Sequence, residues 1–315
     1  YFHQEIDAEG TQREVPVDWH PQDFLTLLPD KITVSIEGRT VLVQAWVYAV
    51  EGLDGYTVPV LFLDTNVKTN TPEDREITAY LYGGDERYRL KQEVVLGIGG
   101  VRLLQILDHD LLGAYHMNEG HAALLALELM DRYQLDLERV KSLCVFTTHT
   151  PVPAGHDTFP VELVTDVLGD FRNPDTLRHD NIIGEDDRLN MTYLALFHAE
   201  YINGVAQKHG ETSQEMFPEY RIDAITNGVH ARTWMSDAMA SVLDRHMPNW
   251  RNDPYALRNA LNIPRDDIWQ AHMASKKDLF DVIAQQTGVS LDPETLTIGF
   301  ARRAATYKRA TLLLS

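Results

Sequence analysis

Alternating and continuous apolar runs near the start of the chain predict a group of β-strands. Residues 32–36 (Ile-Thr-Val-Ser-Ile) alternate, residues 41–46 (Val-Leu-Val-Gln-Ala-Trp) are mostly apolar, and the Glu-Gly pair between them is typical of a turn. Residues 56–63 predict a third strand. Pro59 restricts this strand to a sheet edge or a bulge, because proline has no N–H to donate.

From about Arg89 the pattern changes to an alternation of helix and strand. Helical spacing of Val, Leu and Ile covers residues 92–107, and a helix is again predicted over residues 119–135. Short apolar segments at residues 115–117 and 143–148 predict strands between these helices. Such alternation is typical of an α/β protein with a parallel sheet covered by helices.

The remaining pattern completes this domain and begins a second, incomplete one. The expected elements are one long helix over residues 189–209, a strand at residues 222–225, helices across roughly residues 235–287 and a strand at residues 295–301. A domain boundary is expected near Thr226, where one strand ends and a helical stretch leads to a new strand. We therefore expect domains at residues 1–226 and 227–315.

Composition narrows the class of protein. The chain has 28 Lys+Arg against 47 Asp+Glu and a formal net charge of −19, which argues against a nucleic-acid partner. No apolar run reaches the roughly 18 residues that span a bilayer, so no membrane partner is expected.

The single cysteine, Cys144, lies in an apolar run and is expected to be an inert buried thiol. The chain begins without Met and closes within a helical pattern, so we expect a piece of a longer, cytoplasmic protein.

Four polar segments follow predicted strands and could converge on one crevice, since ligands of open α/β sheets bind at the carboxyl ends of the strands. They are residues 118–121 (Asn-Glu-Gly-His), 147–150 (Thr-Thr-His-Thr), 226–230 (Thr-Asn-Gly-Val-His) and the tail 301–315. Individually, the histidines are compatible with simple packing and Asn227 with an ordinary turn. The spacing of His149, His156 and Asp157 fits no common ligand pattern, so no metal site is predicted.

The tail carries the clearest charge signal. It contains Arg302, Arg303, Lys308 and Arg309 and no acidic residue, in an otherwise acidic chain. Arginine binds phosphate oxygens in pairs and lysine acts as a point charge, so an anion such as phosphate is the expected ligand. The alternative is a solvated cationic face. Asp85 is expected to be a turn residue unless a charged group binds opposite it.

Together these segments resemble the α-glucan (glycogen, starch, maltodextrin) phosphorylase family, in its shorter bacterial and archaeal branch. The matching motifs are RLKQE at residues 89–93, YHMNEGHAA at 115–123, FTTHTPVPAGH at 146–156, NGVA at 203–206, TNGVHARTW at 226–234 and RAATYKR at 303–309. Six motifs in one order are far more specific than any one of them.

The resemblance implies an α/β fold of two Rossmann-like domains facing across a cleft, of the GT-B glycosyltransferase type, with the second domain truncated. It implies phosphorolysis of a terminal α-1,4-linked glucose by inorganic phosphate, giving α-D-glucose 1-phosphate, with pyridoxal phosphate as cofactor. The lysine that holds the cofactor is expected beyond Ser315, and this chain alone is then expected to be inactive. A homo-oligomer is left open.

By motif, His121 and Asn227 correspond to residues that hydrogen-bond the sugar's hydroxymethyl group. Arg303 and Lys308 correspond to the pair that holds substrate phosphate, with Tyr307 in the same space. Asp85 corresponds to a loop aspartate near the sugar. Two alternatives remain: a nucleotide-sugar-dependent glycosyltransferase of the same fold, and a non-catalytic glucan-binding fragment.

Overall fold

The architecture was analysed on a computed structural model, in which the described residues are 2–6, 11–52, 55–81, 84–109, 112–150, 152, 155–169, 174–302 and 309–313. They divide into two compact units, Tyr1–Asn227 and Gly228–Ser315. Within these ranges no helix is both long and apolar enough to cross a bilayer.

The first unit contains strands and helices in alternation after an all-β start. Its strands are β1 (Phe2–Ile6), β2 (Gln12–Pro16), β3 (Thr26–Ile36), β4 (Arg39–Glu51), β5 (Thr57–Asp64), β6 (Tyr115–Asn118), β7 (Cys144–Thr148), β8 (Thr158–Pro160), β9 (Arg188–Asn190), β10 (Tyr201–Gly204) and β11 (Asp223–Ala224). Its helices are α1 (Pro72–Arg75), α2 (Glu86–Val94), α3 (Gly100–Ile106), α4 (Leu124–Arg132), α5 (Leu137–Leu143), α6 (Val161–Leu168), α7 (Pro174–His179), α8 (Met191–His198) and α9 (Gln207–Met216). A π-turn at Val95–Gly99 joins α2 to α3, and 3-10 turns lie at Pro21–Asp23 and Gly120–Ala122.

The predicted strands near the start are confirmed as an antiparallel sheet in the order β3-β4-β5. Glu37 and Gly38 both have positive φ, which is the backbone of a two-residue hairpin turn. Strand β5, which contains Pro59, lies at the sheet edge as predicted. Alternate residues of β3 and β4, such as Val34 and Val43, are buried, so one face of this sheet packs on the core.

The predicted parallel sheet is also confirmed. Its four strands lie in the order β11-β10-β7-β6 and every neighbouring pair is parallel. Strand β7 is central and almost wholly buried, with Phe146 at 0% exposure. Cys144, at its start, is a free and buried thiol as expected. Burial raises its pKa to about 12, which disfavours the reactive thiolate.

Helices α2 and α3 pack against the antiparallel sheet, and Gly97, in the π-turn between them, permits the close approach of α4. A Cβ atom on Gly97 would lie 2.7 Å from the backbone nitrogen of Leu125 and 2.9 Å from the Cβ atom of Leu124. Gly97 therefore serves close helix packing, whereas a Cβ atom on Gly100 would meet nothing within 4 Å. Leu90 and Val94 of α2 and Leu124 of α4 are fully buried in the same core.

The prediction of one long helix over residues 189–209 is wrong. This segment contains the end of β9, then α8, then β10 and the start of α9. Helix α8 is buried on most sides and ends at His198, after which the backbone of Ala199 is extended. Because an apolar run that is buried all round has no distinct periodicity, the pattern did not separate helix from central strand.

The second unit is helical in its described residues. It contains α10 (Ala231–Trp234), α11 (Asp237–His246), α12 (Arg265–Thr287) and 3-10 turns at Pro254–Asn262 and Ala310–Leu313. Its core includes Leu243, Trp250 and Ile263. The strand predicted at residues 295–301 is wrong for this structure, since Leu296 and Ile298 are exposed and no described part of this unit offers a strand to pair with.

Candidate functional site

The carboxyl edge of the parallel sheet brings together three of the four predicted segments. Residues 118–121 follow β6, residues 147–150 contain the end of β7, and Thr226 and Asn227 follow β11. These strands are parallel, so their carboxyl ends share one edge. The backbone N–H of Asn227 donates to the carbonyl of Val205, just after β10, at 3.0 Å, while the Asn227 side chain is exposed.

Glu119 links the first two segments. Its backbone N–H donates to the carbonyl of Thr147 at 2.9 Å. Its Oε2 atom accepts from the backbone N–H of His149 at 3.0 Å and from the hydroxyl of Thr150 at 2.7 Å. Glu119 has φ 68° and ψ 172°, a region that residues with side chains rarely adopt and that costs about 1–3 kcal/mol.

Three buried polar atoms around the same strand ends have no hydrogen-bond partner among the described residues. They are Glu119 Oε1, Thr148 Oγ1 and His209 Nε2. Thr148 is opposite Gly204 in the sheet register, and a Cβ atom on Gly204 would lie 2.5 Å from Nδ1 of His209. Burial lowers the pKa of His209, with the nearby backbone of His149 and the charge of Glu119 partly opposing. Clustered unpaired groups of this kind mark places where water or a ligand completes the bonding.

His121 lies beside this edge in a second polar network. Its Nδ1 atom is 2.8 Å from Oδ2 of Asp157, and Nη2 of Arg89 donates to the same oxygen at 2.7 Å. Oε1 of Glu93 is 3.9 Å from Nδ1 of His121, which is an ion-pair distance but too long for a hydrogen bond. Both oxygens of Glu93 are buried without a hydrogen-bond partner in the described part of the chain, and Glu93 is 4% exposed.

These contacts move the pKa values of three of the groups. The hydrogen bond to Asp157 and the proximity of Glu93 raise the pKa of His121 to about 9, against the effect of burial. Burial raises the pKa of Glu93 to about 7, with His121 and Arg89 partly opposing. Burial also disfavours ionised Asp157, but His121 and Arg89 outweigh it and hold the pKa below its ordinary range. Near neutral pH, His121 is therefore an imidazolium whose Nδ1–H donates to ionised Asp157.

The same side chains have a spacing that could suit a metal ion, since one ligand atom each of Glu93, His121 and Asp157 lies within 4.8 Å of the others. Two features favour an ion-pair network instead. Arg89 already places a positive charge on Asp157, and the Nδ1 atom that a metal would need carries a proton. A metal would have to displace both.

The other predicted site residues fall in two groups. Asp85 caps α2, because its carboxylate accepts from the backbone N–H of Tyr88 at 2.9 Å. Its role near a sugar stays a prediction. Arg303, Tyr307 and Lys308 lie outside the described residues, so their roles also stay predictions.

Sequence reasoning assigned no site role to Arg89, Glu93, Glu119 or Asp157. One signal was present, because Arg89 and Glu93 are four residues apart and so share a helix face. Asp157 is 68 positions beyond Arg89, and nothing local indicates that the two meet. The strain at Glu119 could not be foreseen, because a glycine stands directly after it.

Comparison with known proteins agrees with the resemblance drawn from the motifs. A family model described as carbohydrate phosphorylase matches residues 170–314. The chain is 36% identical to a maltodextrin phosphorylase of Thermococcus litoralis, with 100% of this chain and 42% of that protein aligned. It is 33% identical to a glycogen phosphorylase of Mycobacterium tuberculosis (100% and 42%) and 29% identical to one of Aquifex aeolicus (100% and 52%). The chain thus spans about half the length of these relatives or somewhat less. It belongs to the carbohydrate phosphorylase family.

Proposed function

We propose that the protein carrying this chain is an α-glucan phosphorylase. It would transfer a terminal α-1,4-linked glucose from a glucan to inorganic phosphate and release α-D-glucose 1-phosphate. The observation that carries the proposal is the meeting of three family motifs at the carboxyl edge of one parallel sheet. The maltodextrin and glycogen phosphorylases to which the chain is similar support it.

The chemistry of this edge suits a sugar. It presents the amide of Asn227, the imidazoles of His121 and His149 and threonine hydroxyls, all of which exchange hydrogen bonds with sugar hydroxyls. Nδ1 of His121 is committed to Asp157, so only Nε2 is available to donate to a substrate. We propose that His121 and Asn227 contact the hydroxymethyl end of the glucose unit, and that Asp85 lies near the sugar.

The phosphate half of the site is proposed from the motif alone. Arg303 and Lys308 would hold substrate phosphate, and Tyr307 would lie in the same space. When bound, pyridoxal phosphate would supply a phosphate group that exchanges a proton with substrate phosphate. Two neighbouring phosphates repel each other, so two cations beside them would stabilise the arrangement and the charge that develops in the transition state.

The finer architecture is part of this proposal. The parallel sheet of the first unit would belong to one Rossmann-like domain, and the second unit to the start of the other. A cleft between two such domains would exclude water, so that phosphate rather than water captures the glucosyl group. A cytoplasmic location is part of the same proposal.

The test uses the full-length purified protein with maltodextrin and inorganic phosphate. We expect phosphate-dependent release of α-glucose 1-phosphate, together with the near-ultraviolet absorbance of bound pyridoxal phosphate. Glucose transfer from a nucleotide sugar by a protein free of pyridoxal phosphate would instead indicate a glycosyltransferase. Glucan binding without either reaction would indicate a binding protein.

A further inference from the structure

Between β6 and the 3-10 turn at Gly120–Ala122, the backbone is strained at Glu119. The next residue is a glycine, which could adopt the same conformation without strain. Glu119 has φ 68°, whereas the adjacent Gly120 is not among the glycines with positive φ. Gly120 serves close packing instead, since a Cβ atom there would lie 3.2 Å from the backbone and Cβ of Met191. The strain therefore falls on a residue whose side chain has a task.

That task is visible in the contacts of the carboxylate. A single oxygen, Oε2, accepts from the backbone of His149 and the hydroxyl of Thr150. The backbone of Glu119 is itself fixed by its bond to Thr147 on β7. Glu119 thus ties the loop after β7 to the loop after β6 at the edge where the sugar is proposed to bind.

Several buried polar atoms at and around Glu119 lack a hydrogen-bond partner among the described residues. Oε1 of Glu119 is buried without a partner in the described ranges, as are Thr148 Oγ1 and His209 Nε2 nearby. Polar groups that served only to hold the fold would be paired within the protein. Their position at the ends of β6, β7 and β10 is that of a ligand-binding edge.

We propose that Glu119 is a positioning residue for the proposed phosphorolysis. Its carboxylate, carried on a strained backbone, holds the backbone N–H of His149 and the hydroxyl of Thr150 in the arrangement that the sugar requires. This inference rests on the proposed function for its catalytic consequence. The holding of the loop is a property of the protein itself and can be measured without turnover.

Three substitutions in the full-length protein separate the possible roles. Glu119→Ala removes both hydrogen bonds and should lower kcat/KM about 100-fold, since small misplacements near the reacting centre have effects of that size. Glu119→Gln keeps an oxygen that accepts both bonds, and should keep kcat/KM within about threefold of wild type with an unchanged pH profile. Glu119→Gly should be as slow as Glu119→Ala but melt at a higher temperature, because glycine relieves the backbone strain.

Hydrogen exchange gives a readout independent of activity. The amide of His149 should exchange faster in Glu119→Ala than in wild type, and at the wild-type rate in Glu119→Gln. The proposal is overturned if Glu119→Gln is as slow as Glu119→Ala, because the charge rather than the hydrogen bonds would then matter. Wild-type kinetics or an unchanged His149 exchange rate in Glu119→Ala would overturn it equally. A wild-type protein without phosphorolysis would contradict the proposed function, while the exchange rates would still decide whether Glu119 holds the loop.

Discussion

The buried carboxylate of Glu93 makes a quantitative prediction about stability and pH. The perturbation is Glu93→Gln, which keeps the shape of the side chain and removes its charge. Glu93 is 4% exposed and has no hydrogen-bond partner among the described residues, so ionising it in the folded protein is unfavourable. Its pKa rises from an ordinary 4.5 to about 7.

Whether stability rises or falls with pH depends on how tightly the folded and the unfolded protein bind the Glu93 proton. Between pH 4.5 and about 7 the folded protein binds the Glu93 proton more tightly than the unfolded chain, so stability falls as pH rises. Each pH unit corresponds to about 1.4 kcal/mol, so ionised Glu93 costs about 3 kcal/mol above pH 7. A glutamine at this position avoids that cost. It should match wild type near pH 4.5 and be more stable by about 3 kcal/mol at pH 8.

The raised pKa of His121 affects stability at higher pH than Glu93 does. The folded pKa of about 9 exceeds the ordinary value of 6.5, so its contribution is complete below pH 6.5 and is lost as pH rises through about 9. The side chain is 36% exposed, and solvent screening makes this contribution smaller than the shift in pKa alone suggests. The Glu93→Gln variant should therefore lose the Glu93 contribution between pH 4.5 and about 7, and should keep a smaller loss of stability between pH 6.5 and about 9, because Glu93 contributes to the raised pKa of His121.

The assay is urea denaturation of the full-length protein between pH 4.5 and 9, with hydrogen exchange of α2 to assign the change to this unit. Glu138→Gln, at an exposed position, removes the same charge and serves as the control; its effect should stay within about 0.5 kcal/mol. Parallel stability curves for wild type and Glu93→Gln over this range would refute the reasoning.

Three further predictions concern packing and the two halves of the site. Gly97→Ala should destabilise the protein by about 1–3 kcal/mol in denaturant titrations, because the added Cβ meets the backbone of α4. Gly100→Ala is the control: its Cβ would meet nothing within 4 Å, so it should be neutral or stabilising. Arg303→Ala should weaken the dependence of turnover on phosphate, removing about 2–4 kcal/mol of transition-state stabilisation, with Arg302→Ala as the neighbouring control; equal phosphate kinetics in both would contradict the assignment. His121→Ala should act on sugar recognition, so it should slow the normal substrate more than a 6-deoxyglucosyl one, and an equal effect on both would count against the contact.

The sequence alone was sufficient for much of the fold and for the family. Alternating apolar residues predicted β3 and β4, and the alternation of helix and strand predicted the parallel sheet, because these periodicities are local properties of the chain. The ordered motifs predicted the family, which the comparisons confirm. Periodicity failed for residues 189–209, where α8 and β10 are both buried and so share one apolar pattern.

Only the tertiary structure decided how the site residues are arranged. Arg89 and Asp157 are 68 positions apart, and one oxygen of Asp157 meets both Arg89 and His121 only because the fold brings these distant segments together. The strain at Glu119 likewise depends on Gly120 being needed for packing against Met191. Residue type and spacing determine which elements form, because those depend on neighbouring residues. The burial and charge partners that shift the pKa values of Glu93 and His121 depend on distant segments, and those are set by packing.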